Sequence, residues 1–276
     1  MGTLLGTLYI CGTPIGNLED ISLRALRVLR EADCVAAEDT RRTLKLLNYY
    51  EIKTPLTSYH EHNKRQKGPD LLRQLRQGSN IALVTDAGMP CISDPGADLV
   101  RLCREAGVPV ESVPGPSALI TALALSGMDS RRFVFEGFLP RENRERRRIL
   151  SELGPETRTI ILYEAPHHLK ETLSDLAAAL GDRHCALARE LTKAHEEILR
   201  GALKDLAEKL AENEPVGEYV IIIDSKDTPT PDTNELTVRE HVEFYVKNGL
   251  SEMDAMKRAA KDRGIGKREV YREIKY

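Results

Sequence analysis

Residues 81–96 read IALVTDAGMPCISDPG. The run Ile81 to Thr85 is apolar or β-branched throughout and predicts a short buried strand. Eleven residues follow, Asp86 to Gly96, whose only long apolar side chains are Met89 and Ile92, so a ligand can approach the backbone closely. Helical spacing then runs from Ala97 to Ala106 and stops at Gly107, a glycine placed as a C-cap. Strand, open loop and helix in that order form the repeating unit of an α/β protein.

The same unit recurs outward from this stretch. Thr7 to Cys11 predicts a strand, followed by a glycine-rich turn and a helix over Ser22 to Ala32. Strands are expected at Cys34 to Ala37 and Val108 to Val113, and a helix at Asp70 to Gln77 before Gly78. A second block has strands at Arg132 to Glu136, Thr159 to Tyr163, Cys185 to Arg189 and Tyr219 to Asp224, with helices at His167 to Leu180 and Leu203 to Asn213. The segment from Val113 to Gly127, rich in Pro, Gly, Ser and Ala, divides the blocks into domains of residues 1–114 and 115–224. Residues 225–234 carry no apolar side chain and two prolines, which predicts a linker. Residues 235–276 read as wholly helical, with Thr237 and Ser251 as N-caps and Ala255, Ala259, Ile265, Val270 and Ile274 as a small core. The Gly264-Ile265-Gly266 turn before a last basic helix is helix-turn-helix grammar.

Composition narrows the class. Of 276 residues, 41% are hydrophobic and 30% charged, which excludes a disordered, collagenous or purely coiled-coil chain. No apolar run approaches the ~18 residues of a membrane span. The first six residues lack a basic n-region, and Gly6 stands where an acylation motif has Ser or Thr, so a cytoplasmic protein is expected. Five cysteines without a CxxC pair predict reduced thiols, and the seven histidines show no metal-ligand spacing. The net charge of −3 says nothing for nucleic acid, but its distribution does: residues 131–148 hold seven Arg against three Glu, and residues 236–276 ten Lys/Arg against seven Asp/Glu. Such runs are either solvated faces or a polyanion surface.

Four loops follow predicted strands and concentrate small residues: 12–17 (GTPIGN), 86–96, 114–118 (PGPSA) and 163–168 (YEAPHH). Read alone, the first is a broken GxGxxG with Glu38 and Asp39 as the ribose-binding acid, but its spacing is wrong and Pro14 removes an amide. Four such loops at strand ends imply one shared cleft.

Together with AEDTRRT (37–43), EGFLPR (136–141), ARELTKAHEE (188–197) and GEYVII (217–222), these loops resemble the tetrapyrrole-methylase superfamily, in order and over nearly the whole chain. The resemblance implies a two-domain α/β fold of that type with a small helical module, and S-adenosylmethionine as cofactor in the cleft between the domains. Carried over motif by motif, Pro14, Ile15, Asp86, Met89, Ser117, Ala118, Leu162 and Tyr163 line the cofactor site, with Ala188 and Tyr219 added. The branch resembled most is a homodimeric enzyme that methylates the ribose 2′-hydroxyl of a cytidine in the decoding region of small-subunit ribosomal RNA.

Methyl transfer is an in-line displacement, and a ribose hydroxyl needs a base. Glu38, Asp39 and Lys193 are the catalytic candidates, with Asp94 and Glu190 behind them. Glu38 and Asp39 equally read as a structural network with Arg41 and Arg42, and Lys193 as a phosphate contact. Arg41, Arg42, Arg141, Arg144, Arg146, Arg147, Arg148, Lys267 and Arg268 are the expected RNA contacts, on free rRNA or the assembled subunit, and Tyr59 or Tyr163 the expected stacking partner of a displaced base. Two other classes stay open: a precorrin-type C-methyltransferase, and a ligand-sensing helix-turn-helix regulator of DNA.

Overall fold

The computed structural model describes residues 5–211, 214–225, 236–247 and 250–275. The chain forms two compact units, residues 1–225 and 226–276.

The first unit holds two five-stranded sheets. One is built from β1 (Leu8–Cys11), β2 (Cys34–Ala37), β3 (Leu56–Ser58), β4 (Ile81–Val84) and β5 (Val110–Val113), in the order β3-β2-β4-β1-β5. Every pair in it is parallel. Helices α1 (Leu23–Glu31), α2 (Thr40–Tyr49), α3 (Lys64–Arg76) and α4 (Gly96–Glu105) connect the strands. Ala82 and Val84 pack with Ala25, Val28 and Leu29 on one face, while Ile81 and Leu83 pack with Leu71, Leu75 and Leu99 on the other. Burial on both faces is why these strands read as unbroken apolar runs.

The other sheet contains β6 (Phe133–Gly137), β7 (Thr159–Glu164), β8 (His184–Arg189), β9 (Glu197–Ala202) and β10 (Tyr219–Ile223), in the order β6-β7-β10-β8-β9. Only β6 and β7 are parallel. Helix α5 (Ala118–Ser126) covers one face, where Ala122 and Leu123 meet Ile161, Ala186 and Val220. Helices α6 (Asn143–Leu153), α7 (Pro166–Leu180) and α8 (Leu203–Ala211) cover the other, around Leu162, Leu173 and Leu206.

Five elements depart from the sequence expectation. Strand β3 has three residues, all half-buried, too few to show a period. Strand β9 (EILRGA) mixes charge with apolar residues. Helices α2 and α6 lie in segments that read first as motif and charge run, and α5 (ALITALALS) fills the presumed junction with residues apolar on every side. All five cysteines are free thiols, and burial pushes Cys11 and Cys91 up to about 12.

The second unit contains α9 (Val238–Lys247), α10 (Glu252–Arg263) and α11 (Lys267–Lys275) around Val238, Val242, Tyr245, Ala255, Ala259 and Val270. Ser251 caps α10 by accepting from the Asp254 amide, and Gly264 ends it in the left-handed region at φ 65°. Thr237 and Glu240 cap α9 reciprocally, the Thr237 amide donating to the Glu240 carboxylate at 2.8 Å. All but the first residue of the expected linker 225–234 lie outside the described residues, as do the last two residues of the helix expected to end at Asn213.

Candidate active site

A parallel sheet sends every strand's carboxyl end to one edge. The loops after β1, β2, β4 and β5 therefore gather there, and with the loops after β7 and β8 and the start of β10 they enclose a cavity of about 460 Å³. Close approach dictates the glycines. A Cβ on Gly12 would stand 2.7 Å from the Gly115 Cα and 2.8 Å from the Met89 Sδ; one on Gly16 would stand 2.7 Å from the Leu191 carbonyl oxygen. Of the five non-glycine residues with positive φ among those described, four sit in loops of this cleft: Cys91, Ser93, Glu190 and Thr192. Strained backbone of this kind persists where the surroundings hold it in place.

Six carboxylates line the cavity, Glu38, Asp86, Asp94, Glu164, Glu190 and Glu218, against two cations, Arg42 and Lys193. Burial, with Glu38 nearby, raises the Asp86 pKa above the ordinary aspartate value, and burial does the same for Asp94. Asp86 is held by the Asp39 amide at 3.0 Å and by the Arg42 guanidinium at 3.4 Å. The Thr85 hydroxyl donates to Glu38 Oε2 at 2.6 Å. Lys193 Nζ donates to Glu190 Oε1 at 2.9 Å, and that bond holds the Glu190 carboxyl below its ordinary value. Tyr163, packed against Phe135 and Phe138, accepts from the Leu119 amide at 3.2 Å. Glu164 is buried and accepts from Thr172 Oγ1 at 2.5 Å.

Of the residues expected at the cofactor, Ile15, Asp86, Met89, Ser117, Ala118, Tyr163 and Tyr219 line this cavity. Pro14 lines instead a second cavity of about 390 Å³ that shares Arg42, Thr85 and Asp86 with the first. Leu162 and Ala188 line neither: strand alternation turns Leu162 into the core beneath α7, and Ala188 packs beneath α5. Among the catalytic candidates Glu38 and Lys193 face the cleft. Asp39 does not, because it caps α2 by accepting from the Arg41 amide at 2.8 Å and pairs with the Arg41 guanidinium, which holds its carboxyl down at about 2. A carboxylate so stabilised is a poor base.

The expected RNA contacts divide similarly. Arg141, Arg144, Arg147, Arg148, Lys267 and Arg268 are exposed. Arg146 is 8% exposed, and its guanidinium donates to Asp175 at 2.7 Å and to Thr172 at 2.9 Å, so it is a structural residue of the second sheet's core rather than a phosphate contact. Tyr59 is 1% exposed and is unable to stack on a base. The sequence reading missed Glu164, Glu218 and Phe138 as cleft residues; Glu164 and Glu218 stood within the quoted motifs YEAPHH and GEYVII, and Phe138 within EGFLPR.

A cleft that is acidic, floored by glycine-dependent loops and within the 300–1,000 Å³ range of small-ligand sites suits a cationic ligand with an extended polar body, and the sulfonium of S-adenosylmethionine fits that description. Two α/β layers, one parallel and one mixed, with a cleft at the strand ends define a two-layered ligand-binding class of α/β fold. The chain belongs to the tetrapyrrole methylase family: the model described as Tetrapyrrole (Corrin/Porphyrin) Methylases matches residues 7–207. It is 47% identical over 270 residues to "Ribosomal RNA small subunit methyltransferase I" of Halalkalibacterium halodurans, covering 96% of this chain and 93% of that protein. A protein of the same name from Thermotoga maritima is 48% identical over 223 residues, which are 81% of this chain and the whole of the relative. Among solved structures, uroporphyrin-III C-methyltransferase of Thermus thermophilus complexed with S-adenyl homocysteine shares the fold, with a TM-score of 0.58 at 20% identity over 79% of this chain and 97% of that one.

Proposed function

We propose that this chain transfers the methyl group of S-adenosylmethionine to the ribose 2′-hydroxyl of a cytidine in the decoding region of small-subunit ribosomal RNA, acting in the cytoplasm as a homodimer. The observation that carries the reading is the identity of 47% through 96% of the chain with a methyltransferase of small-subunit ribosomal RNA. The family model matches residues 7–207, all within the first unit, so the chemistry is assigned to the cleft in residues 1–225.

Ile15, Asp86, Met89, Ser117, Ala118, Tyr163 and Tyr219 would hold the cofactor, which when bound supplies an electrophilic methyl group on sulfur. The acidic lining favours a positive charge in the cleft. The loops are packed backbone to backbone around the cleft, which narrows the space for water that would compete with the acceptor. Glu38 takes the hydroxyl proton: Thr85 occupies its Oε2 and fixes the carboxylate, leaving Oε1 to accept. A base so positioned contributes ~10²- to 10⁴-fold. Lys193, tethered by Glu190, presents a cation to the acceptor's phosphate.

The test is transfer of labelled methyl from S-adenosylmethionine to small subunits lacking the modification, and in parallel to free 16S rRNA, with the product nucleotide mapped. A single 2′-O-methylated cytidine is the expected product, and Glu38→Gln should lower kcat on the order of 10²-fold with cofactor affinity retained. Label on a base, or transfer only to a tetrapyrrole, would overturn the assignment.

A further inference from the structure

Of the residues assigned to the cofactor, only Asp86 also lines the second cavity, and Pro14, expected at the cofactor, lies here instead. This cavity lies beside the first, sharing Arg42, Thr85 and Asp86 with it, and the rest of its wall comes from the loop after β1 and from one face of α2. That face carries Arg42, Lys45, Leu46 and Tyr49, spaced i, i+3, i+4 and i+7, so four side chains of different chemistry stand in one stripe along the opening. Lys45 is exposed and has no ion-pair partner among the described residues. Tyr49 is 63% exposed, so the face of its ring is open to a ligand. Its ring is held in orientation by Tyr50, whose centroid is 4.9 Å away at an interplanar angle of 83°. Tyr50 in turn is fixed by its hydroxyl, which donates to the Leu18 carbonyl at 2.6 Å and ties the end of α2 to the loop that forms the cavity's far wall.

We infer that this second cavity is the acceptor subsite, in which the displaced target nucleotide of a single-stranded RNA segment stacks its base on Tyr49 while Lys45 and Arg42 hold the flanking phosphates. The inference rests on the reading of the chain as an RNA methyltransferase and adds to it where the RNA enters. An oriented, exposed aromatic ring supplies the stacking platform that recognition of an unpaired base requires. Two cations one helical turn apart match the spacing of a backbone that passes the pocket mouth. The wall shared with the cofactor cleft places the ribose at Asp86 and Thr85, beside Glu38, so a nucleotide seated there presents its hydroxyl to the base assigned above. The volume of about 390 Å³ falls within the range of sites that take a ligand of nucleoside size.

The experiment compares the full-length wild type with Tyr49→Ala, Tyr49→Phe and Lys45→Glu. Each is assayed for S-adenosylmethionine affinity by calorimetry and for KM and kcat on small subunits lacking the modification. Tyr49→Ala is expected to raise KM for the subunit on the order of tenfold or more and Tyr49→Phe to restore it, since the stacking face and not the hydroxyl is used. Lys45→Glu should raise KM and lower the salt dependence of binding by about one counterion. Cofactor affinity should match wild type in all three. Unchanged KM in Tyr49→Ala and Lys45→Glu, with an active wild type, overturns the subsite and leaves the methyltransferase reading intact. An equal loss in Tyr49→Phe and Tyr49→Ala also overturns it, because stacking would not be the cause. A wild type that methylates no ribosomal RNA refutes the functional reading itself, and the subsite with it.

Discussion

Arg146→Met should cost the first unit far more stability than the same change at its two neighbours. The native guanidinium donates to the Asp175 carboxylate at 2.7 Å, to Thr172 Oγ1 at 2.9 Å and, at 3.4 Å, to the Pro140 carbonyl. Methionine keeps most of the buried stem and removes only these bonds. A hydrogen bond to a charged group contributes roughly 1.5–3 kcal/mol net, and breaking a buried ion pair costs about 3–5 kcal/mol. Asp175 is 36% exposed and is rehydrated when its partner leaves, which lowers its share to about 1 kcal/mol. With the Thr172 bond and little from the long third contact, the total is about 2–4 kcal/mol. For a unit of this size that is roughly a 5–15 °C fall in Tm. Arg147→Met loses one exposed bond to its own helix, and Arg148→Met loses pairs with Glu145 and Glu152 that are open to water; each should stay within about 0.5 kcal/mol of wild type. Scanning calorimetry on the full chain reads all three. Equal Tm values across the three variants would refute the reasoning. A role in RNA binding makes the opposite forecast for Arg146→Met, an unchanged Tm with a raised KM for RNA.

Gly12→Ala should weaken S-adenosylmethionine binding at least tenfold by calorimetry, because its Cβ would stand 2.7 Å from the Gly115 Cα and drive the 114–118 loop outward; Gly107→Ala, with open space around its Cβ, should cost only about 1 kcal/mol and leave binding untouched. Because the fold raises the Asp86 and Asp94 pKa values, both carboxyls protonate before ordinary aspartates as pH falls, so affinity for a sulfonium should drop at a higher pH than aspartate's usual range. The sign for stability is the reverse: the ionised forms disfavour the fold above those pKa values and the penalty relaxes as pH falls, so Asp86→Asn should raise the neutral-pH Tm while weakening cofactor binding and flattening its pH dependence. Thr237→Ala should lower protection of the α9 amides in hydrogen exchange by about 1 kcal/mol, as loss of an N-cap does.

How far the sequence discloses this molecule differs by element. The parallel sheet was legible because β1, β2 and β4 are buried on both faces and written as continuous apolar runs, β1 and β4 being followed by loops of small residues. Loop convergence was legible too, since parallel strands allow only one edge for their carboxyl ends. The fate of single charged residues was not. Arg146 and Arg147 are adjacent in one arginine-rich run, and only the helical phase of α6, invisible in a segment with so few apolar residues, turns one inward and the other to solvent. Asp39 looked like a partner for Glu38, but a residue just before a helix start is pulled to the cap, and the carboxylate that faces the cleft from that strand end is Glu38. Tyr49 escaped notice because its neighbours on the α2 stripe are separated in sequence by Thr43, Leu44, Leu47 and Asn48, and only the helix brings Arg42, Lys45 and Tyr49 into line.

The charge arrangement at the shared wall follows from the reaction assigned to it. Transfer of a methyl group from a sulfonium to a hydroxyl turns a cation and a neutral acceptor into two neutral products and one proton. The positive charge that enters the cleft thus leaves the reacting atoms as a proton, and a site that stabilises the first with carboxylates already holds acceptors for the second. A polyanionic acceptor requires the opposite field a few ångströms away, which a uniformly acidic cleft would repel. Arg42, belonging to both cavities and paired with Asp86 at 3.4 Å, stands where the two fields meet. The pair also restrains Asp86: Arg42 lowers the pKa that burial and Glu38 raise, which keeps the carboxylate charged for the cofactor while the guanidinium's remaining donors stay free for phosphate. On that account Arg42→Met has a double effect, weaker RNA binding from the lost cation and a cofactor affinity that fails at higher pH than in wild type, because Asp86 then protonates sooner. An Arg42→Met enzyme with raised KM for RNA and an unshifted pH profile for cofactor binding would show that Arg42 serves the acceptor alone.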